Sequence, residues 1–402
     1  MMTQTHALAE EARRVGDRMI VNMGPSHPAM HGTVKMVLTL DGENVEDVDI
    51  HIGYLHRGFE KMAEMGTWQQ VLPYCDRLNY CSPMINNVGY VGAMEKLWGV
   101  EITPRCKYIR MLISEISRLT DHLTSIAAGA LELGGFTPFL YAVEAREMLY
   151  PMVEELTGAR LTTSYTRIGG LAKDLPEDYE RHLMAALDKV QSLMDKVDRL
   201  LTKNRIFYDR MIGTGTITKE DAISTGCTGI MLRCTGVDWD LRKHQPYLAY
   251  DEMDFDVIVG VRGDNYDRYL CRLEEMQQSY KIIRQIFAQM PGGSVNVDDW
   301  RVVLPPKHAV YNSIEGMIAH FKLVTEGHQV PAGETYYAVE GGNGELGFYI
   351  VSRGNGRPYR VHVRAPCFYA MGALKKLLVG HLLSDIIPTF DTLNMIGGEV
   401  DR

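Results

Sequence analysis

Residues 106–133 read CKYIRMLISEISRLTDHLTSIAAGALEL, and the spacing within them decides the fold class. Ile109, Leu112, Ile113, Ile116, Leu119, Leu123, Ile126, Ala130 and Leu131 recur at steps of three and four, which is the period of an amphipathic helix. Glu115, Arg118 and His122 follow at i, i+3 and i+7 on a second face, with Glu132 near the end. A buried row of Glu, Arg and His either specifies helix packing or holds protons in an apolar interior, and both readings stay open at this point.

Working outward, two more long helices are expected over about Pro176–Lys203 and Asn265–Met290, the first carrying i, i+4 charge pairs. Residues 83–290 therefore read as a helical bundle. Ahead of it, residues 18–82 read as a small antiparallel sheet with strands over Met19–Met23, Val34–Leu40 and Val45–Ile52, the last two joined at Asp41-Gly42. Residues 1–17 are small, polar and charged, a tail expected to order only against a partner. Glycine and proline return in residues 291–402, where Tyr336–Val339, Leu346–Ser352 and Tyr359–Val363 read as strands around Gly341-Gly342-Asn343-Gly344. The expectation is an α+β protein: a central bundle, an N-terminal sheet and a C-terminal region containing strands.

The 402 residues are 46% hydrophobic, enough for a large core. Lys plus Arg is 42 against 51 Asp plus Glu, a net charge of −9, so nothing is available to neutralise a nucleic-acid backbone. The longest uncharged stretch, Leu78–Met94, is broken by asparagines, prolines and glycines and does not read as a membrane span. Glu10, Glu11 and Arg13 stand where an export signal would be apolar, so no export signal is read and the chain is expected to stay in the cytoplasm. The seven cysteines contain no C-x-x-C, so reduced thiols are expected and no cysteine-ligated metal site.

Four of the thirteen histidines, His27, His31, His51 and His56, fall close together near the N-terminus. His27 and His31 imitate the i, i+4 pair of a helical zinc site, but Pro28 works against the helix that pair would need. Each ring could cap a carbonyl in a crowded loop. A rigid Gly-Pro-x-His-Pro turn at a strand end is also how a scaffold presents a polar group into a cavity. Tyr80, in Asp76-Arg77-Leu78-Asn79-Tyr80, reads on pattern as a packed aromatic, with a catalytic hydroxyl as the alternative.

These stretches carry a resemblance. Residues 24–32 (GPSHPAMHG), 51–58 (HIGYLHRG) and 76–80 (DRLNY) closely resemble the 49 kDa subunit family of respiratory complex I, the proton-pumping NADH:quinone oxidoreductase. The likeness continues through Thr137-Pro138-Phe139, Gly158-Ala159-Arg160, residues 238–243 and 262–269, His320-Phe321-Lys322 and the terminal Gly398-Glu399-Val400-Asp401-Arg402. It implies a fold shared with the large subunit of nickel–iron hydrogenases, the metal site having become a quinone pocket. Hydrogenases need two C-x-x-C pairs; Cys75 and Cys81 are six apart and no cysteine follows Cys367, so a hydrogenase reading fails on ligands.

What the resemblance implies for single residues is specific. His31 and Tyr80 are the two donors to the quinone oxygens, His27 lies in the same quinone-binding loop, and Glu132 occupies the place of an aspartate that pairs with the histidine. Arg57 and Thr162 lie near the terminal iron–sulfur cluster of a neighbouring subunit, and the chain holds no metal itself. Thr162 and Ile168 depart from the histidine and proline of many relatives. A histidine side chain ordinarily titrates near pH 6.5 and a tyrosine near 10, so such a pair suits protonation that follows reduction. The implied partners are the iron–sulfur subunit, other peripheral-arm subunits and a membrane-arm subunit at the quinone channel. The chain would be a peripheral subunit on the cytoplasmic face of the inner membrane, not active alone. A scaffold subunit whose old active site has decayed is the alternative, and the presence of both His31 and Tyr80 favours the first reading.

Overall fold

A computed structural model describes residues 18–402 and the backbone of Ala12–Val15. The chain opens with an antiparallel sheet of β1 (Ala12–Val15), β2 (Arg18–Met23), β3 (Lys35–Asp41) and β4 (Asn44–His51), in that spatial order. Alternation builds its buried face: Met36, Leu38 and Leu40 on β3 stand opposite Ile50, Val48 and Val45 on β4. Ala12–Val15, within the stretch read as a polar tail, is instead the outer strand. An edge position asks only for backbone pairing on one side and tolerates polar side chains. Residues 1–11, 16 and 17 of that expected tail lie outside the described residues.

The bundle follows, with α1 (Pro83–Trp98), α2 (Pro104–Glu132), α3 (Phe136–Thr157), α4 (Tyr179–Leu201) and α5 (Asn265–Gln289). Every residue of α1 from Pro83 to Glu95 is buried, so the uncharged stretch of the sequence is a helix wrapped on all sides by protein. Among the described residues no helix is long and apolar enough to cross a membrane. Its one buried acid, Glu95, takes both ends of the Arg110 guanidinium at 2.7 Å, which leaves the carboxylate paired.

Beyond α5 lie α6 (Ile314–Thr325), the sheet β5 (Gly333–Gly341), β6 (Gly344–Ser352) and β7 (Arg360–Arg364), then α7 (Pro366–Leu378) and α8 (Ile386–Thr392). The second sheet packs on α1, and two glycines make the approach possible: a Cβ at Gly92 would overlap the Tyr337 ring, and one at Gly89 the Phe348 ring. Val339, Leu346, Phe348, Val361 and Val363 complete the bundle core. A second core lies under the N-terminal sheet, where Met36, Leu38, Leu40, Val45 and Val48 meet Leu374, Leu377 and Leu378 of α7 and Ile386 and Phe390 of α8. The two ends of the chain thus share one core.

The polar face of α2 resolves into a buried charge network. Glu275 of α5 accepts from Arg118 at 3.4 Å, Arg233 at 3.1 Å and Arg242 at 2.8 Å, and meets His122 at 3.2 Å. Glu115 accepts from Arg242, the Tyr250 hydroxyl and Ser279. Burial opposes both carboxylate charges, yet the surrounding arginines hold both groups below their ordinary range, Glu275 well below it. Glu132 is not part of this network. At seventeen residues beyond Glu115 and about 100° per residue, it has rotated off that face.

Candidate functional site

The loop between β2 and β3 is fixed by its own chemistry. Gly24 has φ +87°, and a Cβ there would collide with the Val34 carbonyl, so only glycine fits. His27 caps a single 3-10 turn, Pro28–Met30, its Nδ1 accepting from the Ala29 amide at 3.3 Å. Ala29 and Met30 are buried and anchor the turn. His31 ends it in the left-handed region at φ 53°, which turns its imidazole outward. That ring meets Phe390 of α8 edge-on, with centroids 6.5 Å apart.

Asp76–Tyr80 forms the facing wall. The buried Asp76 carboxylate accepts from the Asn87 side chain and from the amide and hydroxyl of Ser164. Asn79 donates to Asp121 of α2 at 2.9 Å and accepts from the Cys81 amide at 3.1 Å, which clamps the backbone on both sides of Tyr80. The Tyr80 ring packs on the same apolar core as Met30. Burial pushes the Tyr80 phenol up to about 12; Cys81, Cys367 and Asp121 add to the shift and the Arg57 guanidinium opposes it. Tyr80 is therefore a neutral hydroxyl at physiological pH, able to donate.

The end of the chain closes this region. Asp401 accepts from the amides of Gly53 and Leu55 at 2.9 and 2.8 Å, and its carbonyl meets His56 Nδ1 at 2.7 Å. Arg57 donates to the Arg77 carbonyl at 2.8 Å. Gly398 lies so close to the carbonyls of Arg77 and Leu78 that a Cβ would strike both. A cavity of 340 Å³ opens alongside, lined by His56, Glu60, His362 and Asp401 among others.

Tyr80 packs on the apolar core that holds Met30 and Phe390, the His31 ring meets that core only through Phe390, His27 holds the turn that carries His31, and the Arg57 guanidinium opposes the rise of the Tyr80 phenol. Thr162 is half-buried, two residues before Ser164, which ties its loop to Asp76. Glu132 ends α2, the helix on which α8 packs. Four acids join the site that sequence reasoning missed: Asp121, Asp391, Glu399 and Asp401. The only signals for them are the position of Asp121 beside His122 and the resemblance carried by the terminal motif. Glu399 is fully buried, and burial with Asp121 nearby pushes it up to about 7. Cys75 and Cys81 are pushed up by burial, and among the described residues no three His, Cys, Asp or Glu side chains converge as metal ligands would. The arrangement can do one thing chemically: present an imidazole and a neutral phenol to a ligand's acceptor atoms.

Residues 132–402 match the family described as respiratory-chain NADH dehydrogenase, 49 Kd subunit. The chain is 58% identical over 385 residues to the D-type NADH-quinone oxidoreductase subunit of Myxococcus xanthus, covering 96% of this chain and 93% of that one. It is 54% identical over 385 residues to a D-type subunit of Sorangium cellulosum, covering 96% and 95%. The D-type subunit of Geobacter sulfurreducens is 47% identical over 384 residues, covering 96% and 98%.

Proposed function

Because this chain belongs to the 49 kDa subunit family of NADH-quinone oxidoreductases, we propose that it forms one wall of that complex's quinone-reducing site. The observation that carries the reading is the placement of His31 and Tyr80 on separate loops, the His31 ring meeting Phe390 and the Tyr80 ring packed on the apolar core to which Phe390 belongs. Reduction of a quinone to a quinol takes two electrons and two protons. The electrons come from an iron–sulfur cluster of a neighbouring subunit, and this chain's residues handle the protons.

His31 and Tyr80 each hydrogen-bond one carbonyl oxygen of the quinone head. The phenol, held near 12, gives its proton up only to the strongly basic reduced ring, so protonation at that oxygen follows the electrons. His27 holds the turn that carries His31. Glu132 supplies a carboxylate at the α2 terminus, and Arg57 and Thr162 lie on the side facing the cluster-bearing partner. The complex translocates protons, and this subunit is peripheral on its cytoplasmic face, in contact with other peripheral-arm subunits and with a membrane-arm subunit at the quinone entrance. The exposed apolar face of α6, with Ile314, Met317, Phe321 and Val324, supports a chain that lives in an assembly.

Tyr80→Phe removes one hydroxyl and almost no volume. It should slow reduction of a short-tailed quinone by up to about 100-fold, the size of one lost donor, with assembly intact. Unchanged turnover would remove Tyr80 from the site and return the scaffold reading.

A further inference from the structure

We propose that Asp121 is a positioning residue for quinone reduction: a carboxylate of α2 that fixes which way the Asn79 amide faces and, through it, the direction in which Tyr80 presents its hydroxyl. The inference rests on the reading of Tyr80 as a donor to the quinone. Asp121 is fully buried, and its hydrogen-bond partners among the described residues are neutral side chains. One carboxylate oxygen accepts from Asn79 Nδ2 at 2.9 Å and from the Ser82 hydroxyl at 3.3 Å, the other from Asn394 Nδ2 at 2.9 Å. A carboxylate accepts and does not donate, so both amides turn their NH2 groups toward it. That leaves the Asn79 side-chain oxygen to face the Cys81 amide, from which it accepts at 3.1 Å. Asn86 of α1 donates to the Asn79 carbonyl at 2.9 Å, and Thr120, the residue before Asp121, donates to the Cys81 carbonyl at 2.9 Å. The peptide units on both sides of Tyr80 are thus held, and the side chain between them has its direction set by α2.

The other side of the carboxylate is more tightly built. Asn394 Nδ2 also donates to Asn343 Oδ1 at 2.6 Å, and Asn343 Nδ2 donates back to the Asn394 carbonyl at 3.1 Å. The turn between β5 and β6 that carries Asn343 lies so close that a Cβ at Gly342 would strike the Asp121 carboxylate. These bonds decide what an amide at position 121 does. Asp121→Asn keeps the shape but sets an NH2 group among donors, so a neighbouring amide must turn round. Turning Asn394 sets its oxygen against the Asn343 oxygen, and relieving that by turning Asn343 breaks the bond to the Asn394 carbonyl. Turning Asn79 breaks only its bond to the Cys81 amide. The mismatch therefore falls on the Tyr80 side, and the hydroxyl loses its aim.

The test uses the assembled complex and a short-tailed quinone. Asp121→Asn should lower kcat by about 10- to 100-fold, the effect of a misplaced donor, and Asn79→Ala, which cuts the link but keeps the carboxylate, should do the same. In a Tyr80→Phe background neither change should lower kcat further by more than about twofold, because the group they aim is gone. The Cys81 amide should exchange with solvent faster in Asp121→Asn and Asn79→Ala and at the parent rate in Tyr80→Phe. A parent kcat in Asp121→Asn, or a full additional loss on top of Tyr80→Phe, overturns the positioning role, and unchanged Cys81 exchange overturns the geometry behind it. If Asp121→Asn fails to assemble, Asn79→Ala decides by the same two measurements. Failure of the quinone reading itself shows differently, as a normal kcat in Tyr80→Phe alone: the positioning role then falls with it, while faster Cys81 exchange in the other two variants still marks the clamp.

Discussion

A hydroxyl stands at position 162 on a loop held to the site wall by the Ser164–Asp76 hydrogen bonds. Threonine has no protonation equilibrium near neutrality. An imidazole at that point would take up a proton as a nearby cluster gains an electron, and the cluster potential would then follow pH across the imidazole's titration range. The partner's terminal cluster should therefore show a nearly pH-independent potential between about pH 6 and 8, and Thr162→His should introduce a slope approaching one proton per electron. Redox titration of the assembled complex measures both. A parent slope already near one proton per electron would place another titrating group there and refute the role given to Thr162.

Among the elements, α2 and α5 are joined by the Glu115–Glu275 network more than by propensity. Glu275→Gln leaves Arg118, Arg233 and Arg242 facing a neutral group in a dry interior. That should cost about 3–5 kcal/mol, seen as a lower unfolding midpoint or failed assembly. Arg205→Ala, which breaks an exposed pair with Asp209, should change stability by less than about 1 kcal/mol. The contrast also explains what could be read in the sequence. The alternation of β2 to β4 is a local pattern with one face to solvent, and the apolar stripe of α2 stands out because its second face, though buried, is filled by charged side chains; both are legible. α1 has no solvent face, so its sequence shows only an absence of charge. Asp391 carries no local signal at all, because its burial without a partner arises only where α8 packs on α2 and α5. The resemblance points to His31, Tyr80 and Glu132, whereas the unpartnered acid Asp391 becomes visible only once α8 is packed.

The whole molecule is organised so that its last residues clamp its first loops. Asp401→Ala removes the acceptor for the Gly53 and Leu55 amides, and those two amides should exchange with solvent faster than in the parent. Quinone reduction should weaken as the 51–58 loop loosens, while the bundle's unfolding midpoint stays within about 1 kcal/mol of the parent. Equal exchange at both amides would show that the clamp is not what holds the loop.

That same closure has a consequence for synthesis on the ribosome. The N-terminal sheet leaves the exit tunnel with Met36, Leu38, Leu40, Val45 and Val48 in place, but the helices that cover them, α7 and α8, are encoded roughly 300 codons later. At about 5–20 residues per second the apolar face stays bare for roughly 15 to 60 s. A nascent chain in that state offers a bare hydrophobic surface for that interval, long enough for chaperones to recognise it, and slow codons within the bundle would lengthen its exposure without altering a single residue of the finished protein.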